Sequence, residues 1–304
     1  MLRSALLLAA LVACGSSAPP VGPSNKAPTP SYEASLDDTL GFLPATSEIV
    51  FGIDGAQIRK TAVWTQLGPK VEKLMGSDLV QLRTACGFDP MQTVERISVG
   101  LSMPERDVVT GVVVVRGVGA GMLGCVRSRF GKTSATGTVT EDKGVVILGR
   151  PDDREKSAWM LIGSTLIVQI DQHVGHDTIA AVLASGSPLR TSHAFMQLYS
   201  HLERGTSMWG VVNGKTKLLD EAAGAAMRPV TVDGTLTMSD RVVIAGRATF
   251  ADADTAAKVD GLMKQTLATA GKFAEHAESR QEGTQVIAGL AISGAQLETL
   301  LGFL

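Results

Sequence analysis

Two imidazoles and two carboxylates fall within seven residues at Asp171-Gln172-His173-Val174-Gly175-His176-Asp177. Neutral imidazoles and carboxylates are the ligands zinc takes, in sets of three or four. Asp171, His173 and His176 are therefore candidate metal ligands, and with a bound water they would centre a metal-dependent hydrolase. No glutamate stands nearby as an obvious base. A polar loop in which Asp177 caps the next helix accounts for the same residues. A second pattern, Gly119-Ala120-Gly121-Met122-Leu123-Gly124, satisfies G-x-G-x-x-G after an apolar strand, and Glu141 stands where a ribose-binding acid would be expected. That fingerprint needs a parallel βαβ unit, whereas the strand before it belongs to an antiparallel hairpin. The expectation is a plain strand-to-helix connection, with no nucleotide or other cofactor.

Nucleophile signatures are absent: the chain has no G-x-S-x-G elbow, no H-E-x-x-H, and no S-x-x-K with its partner motifs. The three cysteines are Cys14, Cys86 and Cys125, and none belongs to a C-x-x-C pair. Redox catalysis is thereby disfavoured. If Cys14 is committed elsewhere, Cys86 and Cys125 remain as an even pair, and an oxidising compartment would join them. Two buried, unpaired thiols are the alternative.

The N-terminus supplies that compartment. Arg3 gives a short positive region and Ala5 to Val12 an apolar one closed by small residues, which is the pattern of a secretory signal peptide. The run is too short to span a bilayer as a helix, which takes about 20 residues. Leu11-Val12-Ala13-Cys14 resembles the lipobox of bacterial lipoproteins. That resemblance implies cleavage after residue 13, diacylglycerol on Cys14 and N-acylation of the new terminus, palmitate being a usual chain. Several acyl chains hold firmly because each buried CH₂ contributes about 0.8 kcal/mol. Gly15 stands where an Asp would retain a lipoprotein in the inner membrane, so the resemblance points to the outer membrane, facing the periplasm. Residues 14–35 (Cys14 followed by GSSAPPVGPSNKAPTPSYEAS) are largely Ser, Pro, Ala and Gly with almost no apolar bulk, and read as a disordered tether.

Beyond residue 35 the chain is globular, with an apolar fraction of 44% but only 4% aromatics, so Val, Leu, Ile, Ala and Met must fill the core. Its net charge is −2, more negative once Arg3 is removed, and no basic run occurs. Nucleic acid is an unsuitable partner for such a surface. A β-rich run, Glu48 to Ile53, leads into Asp54-Gly55. Helices are expected from Ala56 to Met75 and from Ser77 to Thr84. Strands Arg96–Met103 and Val108–Val115 form a hairpin. After a helix at Gly121–Phe130, further strands fall at 135–140, 145–148, 158–162 and 165–170. Short helices near 177–183 and 192–202 follow.

The second half then replays the first. Phe51-Gly52-Ile53-Asp54-Gly55 lines up with Gly210-Val211-Val212-Asn213-Gly214. At an offset of 135, without gaps, Leu101 falls on Leu236, Met103 on Met238, Arg106 on Arg241, Val108 on Val243 and Gly111 on Gly246. A long helix from Ala253 to His276, a strand from Val286 to Ile292, and a Ser293/Gln296 capping box opening the last helix complete the copy. The expected fold class is α+β: two related antiparallel-sheet-plus-helix units after a disordered tether, at residues 42–190 and 191–304. A mature part opening with Leu43-Pro44-Ala45 and a strand-helix unit is also similar to uncharacterised bacterial envelope proteins. The expectation is a membrane-anchored lipoprotein, held to membrane lipid through Cys14, that binds a protein partner or an apolar ligand without catalysis. The alternatives are the His173/His176 hydrolase and a structural assembly lipoprotein.

Overall fold

The computed structural model describes residues 38–105, 108–133, 138–149, 156–184, 188–217, 219 and 227–301. The signal run, Cys14 and the tether lie outside the described residues. Among the described residues the chain forms two compact units that interleave in sequence, one built from residues 38–56 and 71–193, the other from 57–70 and 194–301. Both are α+β.

In the first unit, a 3₁₀ turn at Thr39–Phe42 is capped by Asp38, whose carboxylate accepts from the Leu40 N–H. Strand β1 (Ile49–Asp54) follows. Helix α1 (Ala62–Cys86) starts in the second unit and ends in the first, with a kink at Gly76. There φ is +47°, a conformation open to glycine at little cost. The break falls between the two helices that the sequence predicts. Then come β2 (Arg96–Glu105), β3 (Val108–Arg116), α2 (Met122–Thr133), β4 (Thr138–Asp142), β5 (Val145–Gly149), β6 (Lys156–Ile162), β7 (Thr165–Asp171) and α3 (His176–Ala184). Strand order is β4-β5-β6-β7-β3-β2-β1, with antiparallel pairing throughout. Val112 to Val115 in β3 is continuously apolar because both faces are used. Val113 and Val115 pack on the cluster of Phe88, Met122, Val126, Leu166 and Val168, while Val112 and Val114 are buried on the opposite face.

The second unit holds α4 (His193–Ser200), β8 (Met208–Asn213), β9 (Thr231–Met238), β10 (Arg241–Thr249), α5 (Ala253–Ala270), β11 (His276–Glu282), β12 (Gln285–Ser293) and α6 (Gly294–Leu301). β8 pairs with β9, and β9 and β10 form a hairpin closed by Ser239 N–H donating to the Arg241 carbonyl. β12 lies between β10 and β11. Val63, Leu67 and Val242 make one core, with Leu297 of α6 against it. Leu267 and Ala288 make another, and Phe250, Ala256 and Val286 a third. The helix expected to reach His276 stops at Ala270, and His276–Glu282 is a strand. Its charged sequence, His-Ala-Glu-Ser-Arg-Gln-Glu, suits an edge strand, where charge blocks unwanted pairing, and hides the apolar alternation that marks other strands. The Ser293/Gln296 capping box is formed: Gln296 N–H donates to Ser293 Oγ at 3.3 Å and Ser293 N–H to Gln296 Oε1 at 3.0 Å.

The two units share one plan, and the pairing register shows it. Ile49 pairs with Leu101 in the first unit, and Met208 with Leu236 in the second. Asp54 pairs with Arg96, and Asn213 with Thr231. The offset that matches β1 to β8 and the different offset that matches β2 to β9 therefore land on the same residue pairs. β12 and β11 take the places of β7 and β6, so the hairpin β4–β5 is extra to the first unit.

Candidate functional site

In the second unit, the segment after α4 runs from His201 to Ser207 into β8. Aromatic packing fixes α4, since Tyr199 meets Trp209 of β8 edge-on at 4.9 Å between ring centroids and stacks on Phe195 at 5.4 Å. His201, Leu202 and Glu203 then line a cavity of about 20 Å³ together with Asp233, Gly234 and Thr235 of β9 and Ala245, Gly246 and Arg247 of β10. A water needs roughly 10–15 Å³ of such space, so one fits. Asp233 retains only 4% of its exposure. Its Oδ1 has no hydrogen-bond partner among the described residues, and neither does Nε of Arg247. Both residues line the cavity, and Asp233 Oδ1 and Arg247 Nε do not meet each other. Burial pushes the Asp233 carboxyl above the usual carboxylate range, while the charges of Arg247 and His201 pull the other way without cancelling it. A buried polar atom left unpaired costs about 1–3 kcal/mol, and the water-sized space beside both atoms is where a partner would sit.

The first unit shows what folding alone does with this position. The offset of 135 places Asp233 on Ser98, which is 2% exposed and satisfied: its hydroxyl hydrogen-bonds that of Thr39 at 2.6 Å. Continuing the β1-to-β8 offset puts Leu198 where Thr39 stands, and Arg247 falls on Val112. Where the first unit has a closed hydroxyl pair, the second has a carboxylate, a guanidinium and a water-sized space. Sequence reading missed Asp233 because a carboxylate in an alternating strand reads as solvent-facing. The available signal was its alignment with a residue on a buried sheet face.

The residues singled out from the sequence are placed otherwise. Asp171 Oδ1 accepts from the His173 backbone N–H, which closes a turn, and the His176 ring meets Asp177 Oδ1 at 2.9 Å. No group of three or more His, Cys, Asp or Glu able to hold a metal occurs among the described residues. Asp177 is the second residue of α3 rather than its cap; the Thr178 hydroxyl closes the helix start by bonding Gly175. In the glycine pattern, β3 has antiparallel neighbours on both sides, β2 and β7, so the parallel geometry of a dinucleotide fingerprint is missing. Gly119 and Gly124 face open space and Glu141 pairs with Arg127. Cys86 at the end of α1 and Cys125 in α2 are joined as a disulfide, with Cα atoms 5.0 Å apart. It ties the helix that precedes β2 to the helix that follows β3.

No protein-family model matches the sequence, and no curated protein matches it. Among solved structures, crystal form III of TP0453 is similar to it, with a TM-score of 0.56 over 88% of this chain and 98% of that one, at 10% sequence identity. At that identity the likeness speaks to the fold, and it agrees with the α+β class. No helix among the described residues is long and apolar enough to cross a membrane, which leaves strand-based crossing unaddressed.

Proposed function

We propose that the chain is a lipid-anchored, non-enzymatic protein of the bacterial envelope, attached through Cys14 to the outer membrane and facing the periplasm, whose folded part binds a protein partner. The lipobox supports the address, the Cys86–Cys125 bridge suits an oxidising compartment, and the similar fold of TP0453, a spirochaete envelope protein, agrees with it.

The observation that carries the binding half is on α5. Its inner stripe of Ala256, Val259, Met263 and Leu267 packs on the sheet. Its outer stripe at Leu262, Thr266, Thr269 and Phe273 is uncharged, with Leu262 49% and Phe273 44% exposed. Spacings of four, three and four keep those residues in line along the helix and the turn after it. Gln265, Thr266, Thr269 and Phe273 line an open depression there. An apolar, uncharged face on an otherwise charged surface suits a partner with a matching apolar patch.

Cross-linking in the native envelope, comparing wild type with the doubly substituted Leu262→Asp, Phe273→Asp protein, tests this. Loss of one defined cross-linked species with the fold intact is expected, and an unchanged pattern would overturn the partner reading. Labelling with a palmitate analogue tests the anchor, since Cys14→Ala must lose both label and membrane attachment.

A further inference from the structure

We infer that the Asp233–Arg247 cavity is a binding site for a neutral hydroxyl-sized oxygen, one that donates a hydrogen bond to Asp233 Oδ1 and accepts one from Arg247 Nε. Three observations carry this, and none depends on how or where the chain is anchored. The first is the pair of unmet needs. Asp233 Oδ1 is an acceptor and Arg247 Nε–H a donor, both are buried, and neither has a partner among the described residues. The second is size. About 20 Å³, in a depression that opens to solvent on one side, seats one oxygen-sized group at the two atoms and leaves the rest of a larger molecule outside. The third is charge. A cation entering the cavity meets the Arg247 guanidinium, and an anion meets Asp233 and Glu203, so an uncharged group that both donates and accepts is what the site selects. His201 is the remaining titratable group facing the cavity; α4 itself brings no other charge to it.

The counterpart in the first unit supports the same reading from the opposite direction. There the two oxygens are both supplied by the protein, as Thr39 and Ser98. In the second unit the protein supplies Asp233 Oδ1 and Arg247 Nε, and the ligand supplies the hydroxyl between them. Water meets that description, and so does a hydroxyl of a neutral polyol, so the test must separate them.

The experiment uses folded protein in solution with glycerol and glucose as probes. Saturable shifts of the backbone amides of Asp233 to Thr235 and Ala245 to Arg247 during titration, lost in both Asp233→Ser and Arg247→Met, would assign the site to a ligand hydroxyl. No such shifts, together with long-lived water-to-amide cross-relaxation at those residues in the wild-type protein, would assign it to a resident water. Either outcome supports a hydroxyl-sized site. Absence of both, or a structure at high resolution in which Asp233 and Arg247 close on each other as a direct ion pair, would overturn it. The water measurement is made on unsubstituted protein, so a variant that fails to fold does not block the test.

Discussion

Replacing Asp233 by Asn is expected to stabilise the protein at neutral pH and to leave it unchanged in acid. Burial is the largest influence on this carboxyl and raises its pKa, with Arg247 and His201 opposing. The folded state therefore holds the Asp233 proton more tightly than the unfolded chain does, whose carboxyl titrates near 3.9. The sign follows from linkage: the stability associated with the neutral carboxyl is fully present below that unfolded value and is lost as pH rises through the higher folded one. Asn imitates the neutral form at every pH. The magnitude comes from removing a desolvated charge and not from removing the acceptor, since Asn keeps an oxygen at Oδ1: an unmet buried group costs about 1–3 kcal/mol when neutral and more when charged. Losing the attraction to Arg247 and His201 subtracts from the gain. A net gain of about 1–2 kcal/mol at pH 7 corresponds to a rise in Tm of roughly 2–8 °C. Denaturant unfolding of both proteins at a series of pH values reads it directly. An Asn variant less stable than wild type at pH 7 would refute the reasoning, and so would a difference that stays constant from acid to neutral pH. Either would mean that Arg247 holds the carboxylate as an ion pair.

Three further outcomes follow from other parts of the fold. Breaking the Cys86–Cys125 bridge, which spans a sequence separation of 39, by double substitution with Ser should cost about 4 kcal/mol in the chain-entropy model; thiol titration of unfolded, unreduced protein should find neither cysteine free. Gly117→Ala should destabilise by about 2 kcal/mol or more in the same unfolding assay, because φ there is +84° and an added Cβ would stand 2.0 Å from the Thr93 carbonyl oxygen. Asp252 caps α5, and its hydrogen bonds with Thr255 lower its pKa. Its contribution is therefore present above the unfolded carboxyl value and lost as pH falls through the lower folded one; Asp252→Ala should flatten that part of the acid unfolding profile.

Most elements are legible in the sequence because their cause is local. Alternating or continuous Val and Ile marks β1, β3, β7 and β12, Gly76 marks the kink in α1, and Ser293 with Gln296 marks the start of α6. The repeat is legible because it is a comparison of the chain with itself. What is hidden depends on contacts distant in sequence. The apolar stripe of Val63 and Leu67 predicts a helix face, but not that Val242 and Leu297 receive it. Residues 57–70 consequently join the second unit although they precede most of the first. β11 is hidden because an edge strand carries charge where a central one carries Val. The acid–base cavity is hidden for a related reason. Asp233 and Arg247 are ordinary as residue types, and only the packing of the His201–Glu203 segment over the β9–β10 hairpin gives them a shared space. The imidazole-rich loop shows the converse, since its density of ligand-type residues is spent on turn closure and on the start of α3.

The two copies of the fold supply a control on the meaning of that cavity. If a carboxylate at this sheet position were simply tolerated, exchanging residues between the copies would be nearly symmetric. The structure argues that it is not. Ser98→Asp in the first unit would put a charge at a position 2% exposed, facing Thr39, with Val112 standing where the second unit has Arg247. No cation compensates it, and a buried unpaired charge costs about 3–5 kcal/mol. Asp233→Ser in the second unit removes an unmet charge and leaves a small hydroxyl beside a water-sized space, so its expected effect at pH 7 is near neutral or stabilising. Equal losses from the two exchanges, measured by denaturant unfolding, would show that Asp233 is as well accommodated as Ser98 and that the second copy has not been altered for binding. The predicted inequality would show that the acid is a net cost to the second unit at this position and would be a larger one in the first, where no cation faces it.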